Sequence, residues 1–113
     1  MSHVSKRPQV IRDLIELATY IAEDNLEASD RFLAAAETTF KQLVKMPGMG
    51  KSCQFSHPNL AGVRHQAIKG FKKYLVFYLL SDSVVEILRV IYGGRDNVFI
   101  FILGGINRGV QKN

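Results

Sequence analysis

The sequence predicts an α+β domain in which a two-helix hairpin packs on an antiparallel sheet of three or four strands. Apolar residues recur at helical spacing in the first half of the chain. Short β-branched and aromatic runs fill residues 63–92. The helical part precedes the strand part and does not alternate with it. Because domains cluster at about 100 to 150 residues, we expect residues 1–113 to form a single domain.

Two helices are predicted in the first half. The first covers residues 10–24, and Pro8 suits its first turn, where a missing N–H costs nothing. Its apolar face is Ile11, Leu14, Ile15, Ala18, Ile21 and Ala22, with Arg12, Asp13, Glu16 and Glu23 on the other side. The second helix begins at about Glu27 and ends at "MPGMG", residues 46–50. So short a link predicts an antiparallel hairpin, and residues 3–6 are a candidate N-terminal edge strand.

The strands follow a loop at residues 51–59. Residues 63–69 form a candidate strand, and residues 74–80 and 84–92 form stronger ones that are joined by a turn at 81–83. The last two predict an antiparallel hairpin. Residues 98–103 are a short apolar run that periodicity cannot assign to helix or strand; we favour a strand.

Positive charge is concentrated in the second half. The net charge is +5, but residues 51–113 hold nine basic and three acidic residues, against six and seven in residues 1–50. Such asymmetry is typical of proteins that bind a polyanion or an acidic partner. It is equally compatible with basic residues that only keep a small domain in solution.

Two arginines and one lysine-rich turn are candidates for binding. Strict alternation places Arg89 among apolar residues of its strand, either in a buried ion pair with Glu16, Glu37 or Asp96 or on a surface that binds an anion. The turn after "GG" presents Arg95 outward. The segment "KGFKKY", residues 69–74, mixes lysines with Phe71 and Tyr74. Either the lysines bind phosphates while an aromatic ring stacks on a base, or Phe71 is a core residue and the lysines lie in a solvated turn.

Several kinds of site are not expected. Cys53 is the only cysteine, which excludes an intrachain disulfide and a thiolate-rich zinc site. The three histidines are scattered and no catalytic motif is present, so we predict no catalytic residue, metal or cofactor. The longest apolar run, residues 98–103, is far below the roughly 20 residues of a membrane span. We therefore expect a cytoplasmic protein without a membrane contact.

Four segments together carry a family resemblance: "DLIELATYIAEDN" from residue 13, "MPGMG" from 46, "GFKKYLVFY" from 70 and "EILRVIYGGRD" from 86. Their order over residues 8–97 resembles the ParE branch of the RelE/ParE superfamily of type II toxin–antitoxin toxins. The resemblance implies an α+β toxin with an N-terminal edge strand and a helical hairpin on an antiparallel sheet. It also implies neutralisation by a ParD-like antitoxin and inhibition of DNA gyrase by binding, without enzymatic activity.

Two alternatives stay open. RelE-like relatives are ribosome-dependent mRNA endonucleases, but this chain has Leu75 where their pattern has an arginine and Phe101 where it has a tyrosine, which favours the gyrase branch. The unusual residues 97–113 leave room for an inactive relative that only binds antitoxin. Self-association without antitoxin is a further expectation. The predicted antitoxin- or target-binding residues are Arg64, Lys69, Lys72, Lys73, Arg89, Tyr92 and Arg95.

Overall fold

A computed structural model of the chain describes residues 3–53 and 58–93. Its helices are α1 (Pro8–Asp24) and α2 (Leu26–Lys45), with 3₁₀ turns at Pro47–Met49 and Pro58–Leu60. Its strands are β1 (His3–Lys6), β2 (Lys51–Ser52), β3 (Arg64–Ile68), β4 (Phe71–Ser81) and β5 (Val84–Tyr92). The predicted α+β class, the helical hairpin and the N-terminal edge strand are confirmed. The strand predicted at residues 98–103 lies outside the described residues.

The helical hairpin is joined by a single residue. Asn25 ends α1 and is the N-cap of α2, where its side chain accepts a hydrogen bond from the Ala28 amide at 3.0 Å. The hydroxyl of Ser29 donates to the carbonyl of Ala18 at 2.7 Å. This bond crosses between the two helices and satisfies a buried polar group, so the hairpin is held by polar contacts as well as by apolar packing.

The buried face of α1 differs from the predicted face. Ile11 and Ile15 are 47% and 60% exposed, whereas Val10 and Leu17 are buried. Asp13, which the helical pattern predicts on the solvent side, is only 4% exposed. The pattern at positions 10, 14 and 17 is itself helical, so two apolar stripes were available and only packing against the sheet selected one of them.

The sheet has five strands in the order β1-β5-β4-β3-β2, not three or four. β1 lies parallel to β5, and the other neighbours are antiparallel, so the sheet is mixed. Parallel neighbours need a long crossover connection, and here the helical hairpin forms the start of that connection. β2 has only two residues, which is too short for an alternating pattern to reveal.

A bulge in β5 divides its side chains between two cores. Tyr78 of β4 pairs with Ile87 and Phe77 pairs with Arg89, so β5 has one extra residue between them. Ile87 and Val90 therefore both join the cluster beneath the helices. On the opposite face, Leu88 and Ile91 join a smaller cluster with Leu60, Val63 and Phe77. The strict alternation predicted for this strand is wrong for this reason.

Candidate functional site

A groove lies where α1 passes over the open end of the β4–β5 hairpin, at the start of β4 and the end of β5. It encloses a cavity of about 380 Å³, lined by Glu16, Leu17, Tyr20, Tyr74 and Tyr92. Tyr74 and Tyr92 are cross-strand partners, and Glu16 and Tyr20 are one helical turn apart on α1. We call this surface the tyrosine groove. Of the predicted binding residues that the structure describes, Tyr92 alone lines its cavity.

Aromatic packing supports the floor of the tyrosine groove. The ring centroids of Tyr74 and Tyr92 are 5.2 Å apart, and Tyr74 makes an edge contact with Phe32 at 5.1 Å. Phe71 packs against Phe32 at 5.4 Å. The pKa of Tyr74 is raised above its ordinary value, first by burial and then by the nearby phenols of Tyr92 and Tyr20. The rings of the three groove tyrosines therefore belong to one local environment, which α2 supports from behind.

Lysines border the groove on its β4 side. An open depression of about 490 Å³ is lined by Gly70, Phe71, Lys72, Lys73, Tyr74 and Tyr92, so it shares two tyrosines with the groove. Lys72 and Lys73 are exposed, as is Lys69 in the preceding turn. Phe71 is partly buried against the main core, which fits its interpretation as a core residue. Lys72 and Lys73 therefore lie on one accessible surface next to the groove, and Lys69 is exposed in the turn that precedes them.

Arg89 is held in a nearly buried ion pair. Its Nε and Nη2 donate to the two carboxylate oxygens of Asp13, each at 2.8 Å, and the pair is 13% and 4% exposed. The interpretation as a buried pair is thus supported, but the partner is Asp13. Among the described residues, Glu16 and Glu37 form no such pair with Arg89, and Asp96 lies outside the described residues.

The position of Asp13 explains the pairing. β1 pairs with β5 only as far as Ile87, and α1 covers the edge of β5 beyond that point. Asp13 Oδ2 accepts the amide of Val90 at 3.0 Å, and Gln9 donates to Oδ1 at 3.1 Å. One carboxylate therefore satisfies a backbone donor at the open edge and neutralises Arg89. It also lines a small cavity beside the groove, with Glu16 and Tyr92.

Arg64 holds the loop that follows α2. Its guanidinium donates to the carbonyl of Gly50 at 2.7 and 3.0 Å, to the carbonyl of Gly48 at 3.2 Å and to the hydroxyl of Ser52 at 3.2 Å. The hydroxyl of Tyr78 fixes the same loop, because it donates to the Pro47 carbonyl at 2.6 Å and accepts the Gly50 amide at 3.0 Å. Arg64 thus joins the "MPGMG" loop to β3.

The predicted set of binding residues is therefore divided. Tyr92, Lys69, Lys72 and Lys73 are accessible in or beside the groove, Arg64 and Arg89 make internal contacts, and Arg95 lies outside the described residues. Sequence reasoning missed Asp13, Glu16 and Tyr20 as parts of this site. The signal for Asp13 was its place one turn from the buried Val10 and Leu17, where a carboxylate must be paired.

Two further properties concern the described residues. Within residues 3–53 and 58–93, no group of three or more His, Cys, Asp or Glu side chains is placed to hold a metal ion. In the same part of the chain, neither α1 nor α2 has the length and apolar character needed to cross a membrane.

Comparison with known proteins gives a matching family model and solved structures of similar fold. A family model described as the ParE toxin of the type II toxin–antitoxin system parDE matches residues 4–97. No curated protein matches the chain. A solved structure, the chromosomal ParDE TA system from P. aeruginosa, superposes with a TM-score of 0.63 at 17% identity, covering 81% of this chain and 95% of that chain. At this identity, the structural likeness establishes the fold alone.

Proposed function

The chain belongs to the ParE toxin family of type II toxin–antitoxin systems, and from that premise we propose that it inhibits DNA gyrase by binding and is neutralised by a ParD-like antitoxin. The observation that carries the proposal is the match to the family model over residues 4–97. That span reaches from the second residue of β1 past the end of β5, so it includes both sides of the tyrosine groove.

The contacts around the arginines support an action by binding. Arg64 and Arg89 are engaged with loop carbonyls and with Asp13, so both contribute to architecture. A general acid or base needs a pKa near neutrality and access to the substrate. His65 pairs across the sheet with Phe77, which belongs to the cluster opposite the helices, so it lies on the other face from the groove. The groove presents aromatic side chains and lysines border it on the β4 side, and exposed aromatic side chains are typical of macromolecular recognition.

The antitoxin is proposed to occupy the tyrosine groove and the lysine surface beside it. Concave apolar surfaces with a charged rim fit an amphipathic segment of a partner, and Lys69, Lys72 and Lys73 fit acidic side chains of that segment. Tyr92 is the proposed contact in the groove. Arg89 joins β5 to α1 beside the groove, Arg64 holds the loop after α2, and Arg95 remains a proposed contact.

One observation favours a second candidate function. Lys72 and Lys73 lie beside the rings of Phe71 and Tyr74, and such a combination can hold single-stranded nucleic acid by charge and stacking. A ribosome-dependent mRNA endonuclease would use this surface for RNA. The same assays that test the gyrase proposal separate the two.

The decisive experiment expresses the full chain with and without its antitoxin. We expect growth arrest only without antitoxin, and purified protein should inhibit gyrase supercoiling and trap cleaved DNA. Intact mRNA on translating ribosomes is expected in a parallel assay. Specific mRNA cuts with unaffected gyrase would favour the endonuclease, and normal growth with retained antitoxin binding would identify an inactive relative.

A charge-reversal pair of variants tests the surface. Replacing Lys72 and Lys73 by glutamate should weaken antitoxin binding at least tenfold, because two charge contacts become repulsive, each worth on the order of 1 kcal/mol. Lys41→Glu with Lys45→Glu is the matched control, since both lysines are exposed on α2 and neither lines the groove. Equal loss in both double variants would show that only net charge matters.

A further inference from the structure

The tyrosine groove has a chemistry that the lysine surface does not share. Three tyrosines and Glu16 line its cavity, and aromatic faces carry negative potential that attracts a cation. Glu16 makes no hydrogen bond or ion pair with any residue in the part of the chain that the structure describes. Its carboxylate is exposed at the cavity, so it can pair with a cation that enters from outside.

The surrounding charges strengthen this preference. Asp13 and Arg89 neutralise each other next to the cavity. Glu23 lies two helical turns beyond Glu16 and is exposed, so the α1 wall continues with negative charge on the same face. Arg12 is exposed one turn before Glu16 on that face, so the α1 wall has two acidic groups and one basic group and is acidic in balance, while the β4 side carries Lys72 and Lys73.

We propose that the tyrosine groove is an aromatic cage that binds an arginine side chain of the antitoxin. An arginine fits this site better than a lysine, because its planar guanidinium can stack on a tyrosine ring while its N–H groups form a fork to a carboxylate. The cavity of about 380 Å³ is within the range of roughly 300–1,000 Å³ that small-molecule sites occupy, which is ample for one side chain.

The cage also orients its partner. A segment that places an arginine between Tyr20 and Tyr92 and continues towards β4 would bring its next side chains to Lys72 and Lys73. The partner chemistry is then one basic residue followed by acidic ones. This inference rests on the proposed function only for the source of the arginine, since the cage chemistry is a property of this chain.

The test uses the full-length protein without antitoxin and follows tyrosine ring resonances by NMR. The chain has four tyrosines: three line the cage, and Tyr78 is fully buried elsewhere and serves as an internal control. The probe is N-acetyl-arginine methylamide. Its citrulline analogue has nearly the same shape without charge, and the aspartate analogue tests for an anion site.

The arginine probe should shift the rings of Tyr20, Tyr74 and Tyr92 in a saturable manner and leave Tyr78 unchanged. The citrulline analogue should give a much smaller shift at equal concentration. Tyr20 is 69% exposed, so its replacement does not threaten the fold. Tyr20→Phe should retain binding, whereas Tyr20→Leu and Glu16→Gln should each weaken it about two- to fivefold, which is the scale of one exposed cation–π or ionic contact.

Equal shifts from arginine and citrulline, a larger response to the aspartate analogue, or shifts of Tyr78 as large as those of the cage would overturn the proposal. If a ParD-like antitoxin binds the protein but the arginine probe does not shift the cage rings, the cage is refuted and the proposed function is unaffected. Probe binding without any antitoxin binding supports the cage and rejects its proposed source.

Discussion

Replacing Asp13 by asparagine should destabilise the protein more than any change to a surface ion pair. The substitution keeps the shape of the side chain and one oxygen that can accept the Val90 amide, but it removes the negative charge that faces Arg89. The new amide NH₂ group then points a donor at a guanidinium, which is itself only a donor. The nearly buried Arg89 then loses the carboxylate that accepts two of its charge-assisted hydrogen bonds.

The geometry sets the size of the effect. Two charge-assisted hydrogen bonds of 2.8 Å are affected, in a pair that is 13% and 4% exposed. Breaking a buried pair by removing one partner typically costs about 3–5 kcal/mol. With a shift of about 4 °C per kcal/mol for a domain of this size, we expect Tm to fall by about 12–20 °C.

An exposed ion pair supplies the control. Arg31 and Glu27 are 3.5 Å apart and their side chains are 61% and 84% exposed, so Arg31→Gln should change the free energy of unfolding by no more than about 0.5 kcal/mol. Unfolding in urea should be followed by circular dichroism, since the chain has no tryptophan. An unchanged m-value would show that the comparison concerns stability alone.

A double variant separates charge from packing. Asp13→Leu with Arg89→Met removes both charges together, and the loss of the Asp13 acceptor for the Val90 amide costs about 1–3 kcal/mol. It should therefore be more stable than either single variant. If Asp13→Asn loses no more stability than Arg31→Gln, or if the effects of the single variants simply add, the pair does not hold α1 to β5 as argued.

Three further predictions concern the loop side of the sheet. Gly50→Ala should destabilise the folded protein by about 2 kcal/mol or more, because a Cβ there would lie 2.5 Å from the Tyr78 hydroxyl and 2.7 Å from the His65 carbonyl. In the same urea titrations, Gly48→Ala should be neutral or slightly stabilising, because a Cβ at Gly48 has no neighbour within 4 Å. The pKa of His65 is lowered by burial and then by Lys51, so protonation favours the unfolded state and stability should fall as pH drops below about 6.5. Between pH 7.5 and 5.5, Tm should therefore fall less in His65→Gln than in the parent protein. Burial raises the pKa of Cys53 to about 11, although Arg64 lowers it. Alkylation of Cys53 by iodoacetamide at pH 8 should therefore be at least about tenfold slower in the folded than in the urea-unfolded protein. Equal rates in the two states would contradict this environment.

The amino-acid sequence by itself determined the local elements of this protein. Helical spacing located both helices, with a start two residues late for α1 and about one residue late for α2, and the turn at residues 81–83 identified the β4–β5 hairpin. These features depend on neighbours within a few residues of one another, so periodicity and turn chemistry are sufficient to predict them. The family resemblance had the same local basis, in motifs that each lie within one element or loop.

Tertiary structure decided which surfaces meet. The parallel pairing of β1 with β5 and the Asp13–Arg89 pair join residues that are 76 or more positions apart. The bulge that redistributes the side chains of β5 depends on the register between the two strands of the hairpin. The tyrosine groove arises in the same way, since Tyr20 comes from α1 and Tyr74 and Tyr92 from the hairpin. Long-range contacts depend on the packing of whole elements and leave no periodic pattern in the sequence. The sequence therefore predicted charged residues near a sheet. Only the fold showed which of these residues are paired and which face the groove.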